Sequence, residues 1–212
     1  NNFWGISATT KGTTDTQSFV LASPQTFTDH NCNLPQHEPA HVSRAAIERL
    51  QSLPGINGFT LTGKYPIANL DYDITNFPIQ VSMEATSPCI PQDVKNSSLP
   101  CGYFTFTLTN PSETDSMDVR VMQSQQNYVG WDGVSDCSKN TNTKWGGNIN
   151  TPSDEDGYSS MIMSNPTTPD GTLSLVGVKS NGTATTVLTS ATDSNDIWEQ
   201  FCSGKDVLPK SA

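Results

Sequence analysis

The residues whose spacing most resembles a chemical device are His37, Glu38 and His41, in the run His37-Glu38-Pro39-Ala40-His41. Two histidines four positions apart, with a glutamate after the first, form the zinc-protease pattern. On a helix both imidazoles face one way and the carboxylate deprotonates a metal-bound water. Pro39 works against this. Proline lacks an N–H and its ring disrupts a helix beyond the first turn, so the two ligands would stand on a fraying end. A third ligand is also missing: no histidine follows His41, and the other one, His30, lies upstream in a polar stretch. The residues read as a solvated pair with Pro39 in the first turn of a helix, and no stoichiometric zinc is expected. Asp154-Glu155-Asp156-Gly157 collects three carboxylates but lacks the spaced ligands of a calcium loop, and reads as a solvated acidic turn. There is no P-loop, no G-x-G-x-x-G and no G-x-S-x-G, so no cofactor is expected. Trp131 and Trp145 flank or lie in a long polar stretch. There an exposed indole can stack on a sugar ring, although burial is the commoner fate of tryptophan.

Five cysteines, none in a C-x-x-C pair, are too few for a disulfide scaffold and too scattered for a zinc site. Cys89 and Cys101 bracket a proline-containing loop between two strand-like runs. Antiparallel strands bring such loop ends together, so a Cys89–Cys101 disulfide is expected, contributing about 3 kcal/mol by loop closure. Cys137 with Cys202 is the expected second pair, which leaves Cys32 as the odd thiol. Two glycosylation sequons occur, Asn96-Ser97-Ser98 and Asn181-Gly182-Thr183. With the loop cysteines they point to a secreted or otherwise extracytoplasmic protein.

The elements that must position these residues are strands. Of 212 residues, 24 are Ser, 26 Thr and 17 Asn, while only 15% are charged; a polar, uncharged, Thr-rich chain suits β-structure and loops better than helix. Net charge is −10, which sets the chain against nucleic-acid phosphates and anionic lipid. No apolar run approaches the 18 or so residues of a membrane span. Fourteen prolines and 15 glycines punctuate the chain at short intervals, as many short strands require.

The clearest strand is Gly102–Asn110, where Tyr103, Thr105, Thr107 and Thr109 alternate with Phe104, Phe106 and Leu108. With Asp118–Gln123 it reads as a hairpin. Pro66–Tyr72 with Pro78–Ala85, and Phe3–Ala8 with Ser18–Leu21, read as two more. Ser160–Ser164, Leu173–Lys179 and Thr185–Thr189 are later strands, and residues 132–158 a long loop. Helices are expected at His41–Ser52, ended by Pro54-Gly55, and at Ser194–Cys202, where Ile197, Trp198 and Phe201 share a face. The reading is all-β: a single domain over residues 1–212, a two-sheet antiparallel β-sandwich with two short helices.

Residues 59–131 carry a resemblance. Gly63-Lys64-Tyr65-Pro66-Ile67-Ala68-Asn69-Leu70, Phe77–Ala85, Ser87-Pro88-Cys89-Ile90-Pro91-Gln92-Asp93, Ser97-Ser98-Leu99-Pro100, Phe104–Asn110 and Asn127-Tyr128-Val129-Gly130-Trp131 together resemble the N-terminal domain of glycoside hydrolase family 116. That family includes non-lysosomal glucosylceramidase and microbial β-glucosidases. Fainter similarity at Phe3–Ser7 and Ile197–Phe201 extends it over nearly the whole chain. The resemblance implies a β-sandwich lobe whose partner is a catalytic (α/α)6 barrel that carries the nucleophile and the acid/base. No such helical array follows here, so no catalytic residue is carried over, and the chain alone is expected to be inactive. The family's first and last strands are also expected to be missing, leaving an apolar face and strand edges uncovered. The alternative is a stand-alone secreted module that binds carbohydrate or serves a structural role.

Overall fold

The computed structural model describes residues 3–22, 52–125, 127–130, 148–166, 171–178 and 194–203. Among these residues, ten strands and two helices follow in order: β1 (Phe3–Thr10), β2 (Thr16–Val20), β3 (Gly58–Lys64), β4 (Ile67–Asp73), β5 (Gln80–Thr86), α1 (Val94–Ser97), β6 (Tyr103–Thr109), β7 (Met117–Ser124), β8 (Ile149–Glu155), β9 (Tyr158–Ser164), β10 (Thr172–Val178) and α2 (Ser194–Cys202). The strands form antiparallel sheets of order β2-β1-β7, β3-β4-β5-β6 and β10-β9-β8. The all-β class is as expected, but among the described residues the sheets number three. The chain divides into two compact units, one of Trp4–Phe27 and Gln51–Met122, the other of Asn1–Phe3, Thr28–Leu50 and Gln123–Ala212.

In the first unit the four-stranded sheet is sorted by period-two alternation. Its register places Phe59 and Leu61 opposite Tyr72 and Leu70, Leu70 and Ala68 opposite Met83 and Ala85, and Val81, Met83 and Ala85 opposite Leu108, Phe106 and Phe104. Residues directly opposite share a face, so one face is apolar throughout. The other carries Thr60, Thr62, Asp71, Ser82, Glu84, Thr105 and Thr107. A single apolar cluster draws on this sheet and on β2-β1-β7: Ile6, Ala8, Leu21, Ile56, Ile79 and Val81 are buried, with Trp4, Tyr72, Phe106 and Val119 packed against them. Trp4 is the largest contact across it, with ring centroids 4.9 Å from Phe106 and 5.4 Å from Phe104. Fully burying a side chain such as Ile6 contributes about 1.5–3 kcal/mol. The buried Ser7 hydroxyl accepts from Ser18 Oγ at 3.0 Å.

The expected hairpin of β6 with β7 is not formed: the two strands belong to different sheets. The connection folds on itself instead of making a tight turn. Asn110 Nδ2 donates to the Asp115 carbonyl at 2.7 Å, its Oδ1 accepts from Ser112 N–H at 3.0 Å, and Ser112 Oγ accepts from Asp115 N–H at 3.0 Å. Lys11 N–H then donates to Ser116 O at 2.8 Å, tying the start of β7 to the β1–β2 turn.

In the second unit β9 is central, and its Met161, Met163, Ser159 and Ser160 are buried. Helix α2 has the expected bounds and buries Trp198 and Phe201, whose rings lie 5.8 Å apart; Phe3 meets Trp198 at 6.3 Å. A chain of amides closes the base of this unit. Asn165 Nδ2 donates to Asn148 Oδ1 at 2.9 Å, and Asn148 Nδ2 donates to the Asn127 carbonyl at 2.9 Å. Strand β8 lies inside what reads from sequence as the loop 132–158. It is polar, nearly all exposed and contains Pro152, as an outer strand permits. The expected helix at 41–52 (Ser52 apart) and the expected strand at 185–189 lie outside the described residues.

Candidate functional site

The first unit gathers exposed apolar and aromatic side chains at one end of its four-stranded sheet. Ile67, Thr86 and Tyr103 stand side by side there. The two-residue β3–β4 connection, Tyr65-Pro66, and the long β5–β6 connection both leave from that row. Tyr65 is 76% exposed, Tyr103 58% and Val94 80%, and Ile90 and Leu99 are exposed as well. Side chains of this kind are kept at a surface at a cost unless something meets them.

The β5–β6 connection is held in shape by its own polar groups. Ser97 Oγ accepts from Ile90 N–H at 2.8 Å and donates to Ile90 O at 3.0 Å. Asp93 caps α1, accepting from Asn96 N–H at 3.0 Å and from Asn96 Nδ2 at 2.5 Å. These bonds, the backbone one first, hold the Asp93 carboxyl below its ordinary range. Gln92 takes a left-handed backbone (φ 67°) to bring the chain round. The result is a shallow cleft of about 260 Å3 lined by Ile90, Gln92, Asp93, Val94, Ser97 and Ser98. A second recess, of about 410 Å3, opens where Asp73 and Gln80 lie, beside Tyr72, Ile74 and Phe77. Burial raises the Tyr72 hydroxyl there.

Cys89 and Cys101 lie at this end, exposed, as free thiols; the expected bond between them is not formed. The chain leaving β5 explains why. Ser87 N–H donates to Pro66 O at 3.1 Å, so the segment continues along β4 and brings Cys89 against Tyr65. Cys101 donates to Tyr103 Oη at 3.9 Å. The adjoining thiols raise both phenols, Tyr65 mainly through the charge of Cys89 and Tyr103 mainly through its hydrogen bond with Cys101. Both tyrosines therefore stay neutral near pH 7 and offer ring faces together with hydroxyls. Cys202 is half-buried at the end of α2.

Among the residues expected to matter, Asn96 is exposed on α1, with its Nδ2 bonded to Asp93. Trp131, Trp145, Asn181, Cys137, Cys32, His30, His37, Glu38 and His41 lie outside the described residues. The carboxylates at 154–156 sit at the β8–β9 turn, where Ser159 Oγ donates to Asp154 Oδ1 at 2.5 Å. Among the described residues no cluster of three or more His, Cys, Asp or Glu is arranged to hold a metal. Sequence reasoning missed Tyr65 and Tyr103. The signal available was Tyr103 standing on the polar side of an alternating strand, where an aromatic ring has no core to enter. The arrangement offers aromatic faces, hydroxyls and amides, which is the chemistry of binding.

The family model described as beta-glucosidase 2, glycosyl-hydrolase family 116 N-term, matches residues 1–210. The chain belongs to that family, as its N-terminal domain.

Proposed function

We propose that this chain is the non-catalytic β-lobe of a family-116 β-glucosidase, which packs against a catalytic (α/α)6 barrel and helps shape the entrance to its site. The observation that carries the reading is the family match over residues 1–210, to the N-terminal domain. The exposed end with Tyr65, Tyr103, Ile90 and Val94 supports it, since apolar side chains there suit a protein or sugar surface. In this reading Trp131 and Trp145 stay the sequence candidates for stacking on a glycan. The compartment is extracytoplasmic, with glycans on Asn96 and Asn181. A retaining glycosidase needs two carboxyl groups about 5–5.5 Å apart across the scissile bond, and in this reading the barrel supplies them.

The test is to purify the chain alone and assay it on an aryl β-glucoside, then titrate it onto a family-116 catalytic barrel produced separately. The expected result is no turnover from the chain and a stoichiometric complex with the barrel. Turnover that follows the purified chain and disappears on replacing one of its own carboxylates would overturn the reading. A second reading is favoured by the two exposed tyrosines, Tyr65 and Tyr103: a stand-alone module that binds carbohydrate through ring stacking. It predicts sugar binding lost with Tyr65→Ala and Tyr103→Ala, and no affinity for the barrel.

A further inference from the structure

Among the described residues strand β3 is the outermost strand of its sheet, and all of it beyond Gly58 is exposed. Phe59 is 53% and Leu61 60% exposed, yet both lie on the apolar face. The other outer strand, β6, has Phe104 and Phe106 beside Trp4. Natural outer strands are blunted by charge, proline or bulges; β3 has no proline, no bulge in its register, and one charge, Lys64, at its end.

The hydrogen-bond parity of β3 follows from one bond. Ser87 N–H donates to Pro66 O, so the even-numbered residues of β4 bond β5 and the odd-numbered ones bond β3. In the β3–β4 register the odd residues of β4 face Gly58, Thr60, Thr62 and Lys64. Those four spend their backbone groups on β4. Phe59, Leu61 and Gly63 point theirs outward, unused by β4.

We infer that β3 pairs antiparallel with β3 of a second copy of this chain, on a two-fold axis at Leu61. This register is the one in which every outward backbone group finds its complement: Leu61 meets Leu61, and Phe59 meets Gly63, twice. The side chains match it as well. The second copy's Phe59 ring covers Gly63 and reaches Ala68, an aromatic over a glycine in an outer strand. On the polar face the second copy's Lys64 stands beside Gly58 and reaches across it to Asp73, about 9.5 Å away at two strand spacings. A Cβ at Gly58 would meet nothing within 4 Å, and at Gly63 only contacts of 3.9 and 4.0 Å. The chain's own packing therefore does not require either glycine, whereas the pairing uses both. The net charge of −10 opposes association at long range, but physiological salt screens it beyond about 8 Å. Pairing through one strand edge belongs to the weak, reversible class.

The test is sedimentation equilibrium of the full chain in physiological salt. Wild type should show a monomer–dimer equilibrium. Leu61→Pro should abolish it while keeping the wild-type circular dichroism, because the amide it removes faces outward, where proline is tolerated. Lys64→Asp and Asp73→Lys should each weaken the dimer about fivefold, and the double exchange should restore it. A wild type that stays monomeric at about 100 µM leaves this strand to another protein and overturns the inference. So does a dimer indifferent to Leu61→Pro, and one indifferent to the charge exchange overturns the two-fold register.

Discussion

At Asp93 a single carboxylate holds the shape of the β5–β6 connection, and its titration can be followed. Its hydrogen bonds from Asn96 hold the carboxyl below the ordinary value of 3.8. A depressed pKa means that the charged form is favoured by the folded loop. Its contribution is therefore present above the ordinary value and is lost as pH falls through the lowered one. Amide exchange at Asn96, corrected for intrinsic rate, should lose protection several-fold on going from about pH 5 to about pH 2. Asp93→Ala should remove that dependence and leave the amide poorly protected throughout. Protection that is flat with pH in the wild type would mean the cap contributes nothing. The sequence brought attention to this loop through Asn96 and its flanking cysteines, but it could not show that Ser87 follows β4. That one backbone bond brings Cys89 to Tyr65.

At the scale of the element, alternation found the strands that bury a face and lost those that do not. β5, β6 and β9 were legible because half of each is apolar and buried or paired with apolar neighbours. β8, Ile149–Glu155, has only one large apolar side chain and carries Pro152, so composition reads it as loop. The available signal was Asp156-Gly157, a two-residue hairpin turn, shortly before Met161-Ile162-Met163. β3 was hidden by Gly58 and Gly63. The β6–β7 error has a different source: sequence neighbours usually pair, and only the internal bonding of 110–116 sends the chain to the other sheet. The β8–β9 turn yields a measurable consequence. Gly157 has φ 93° with open space around it, so replacing it strains backbone alone. Gly157→Ala should lower stability by about 1–2 kcal/mol. The urea midpoint should fall with the slope unchanged. Gly58→Ala, at ordinary φ and equally open space, is the control and should cost far less.

At the scale of the whole molecule the composition that made the all-β class legible also sets its colloidal behaviour. Twenty-one acidic residues against 11 Lys and Arg leave −10 at pH 7, and the balance point falls near pH 4.5. With so few charges on a Thr-, Ser- and Asn-rich surface, repulsion between copies depends largely on that excess. Acidification removes it: carboxylates take up protons while Lys and Arg keep theirs, so net charge climbs from −10 through zero. Outer strands such as β3 are then no longer held apart by long-range repulsion. Light scattering at constant protein concentration should therefore rise to a maximum near pH 4.5, and fall again at more acid pH as the net charge becomes positive. Leu61→Pro, which leaves the charge unaltered, should lower that maximum without moving its pH. A maximum that shifts with this uncharged substitution would mean that charge is not what keeps the copies apart.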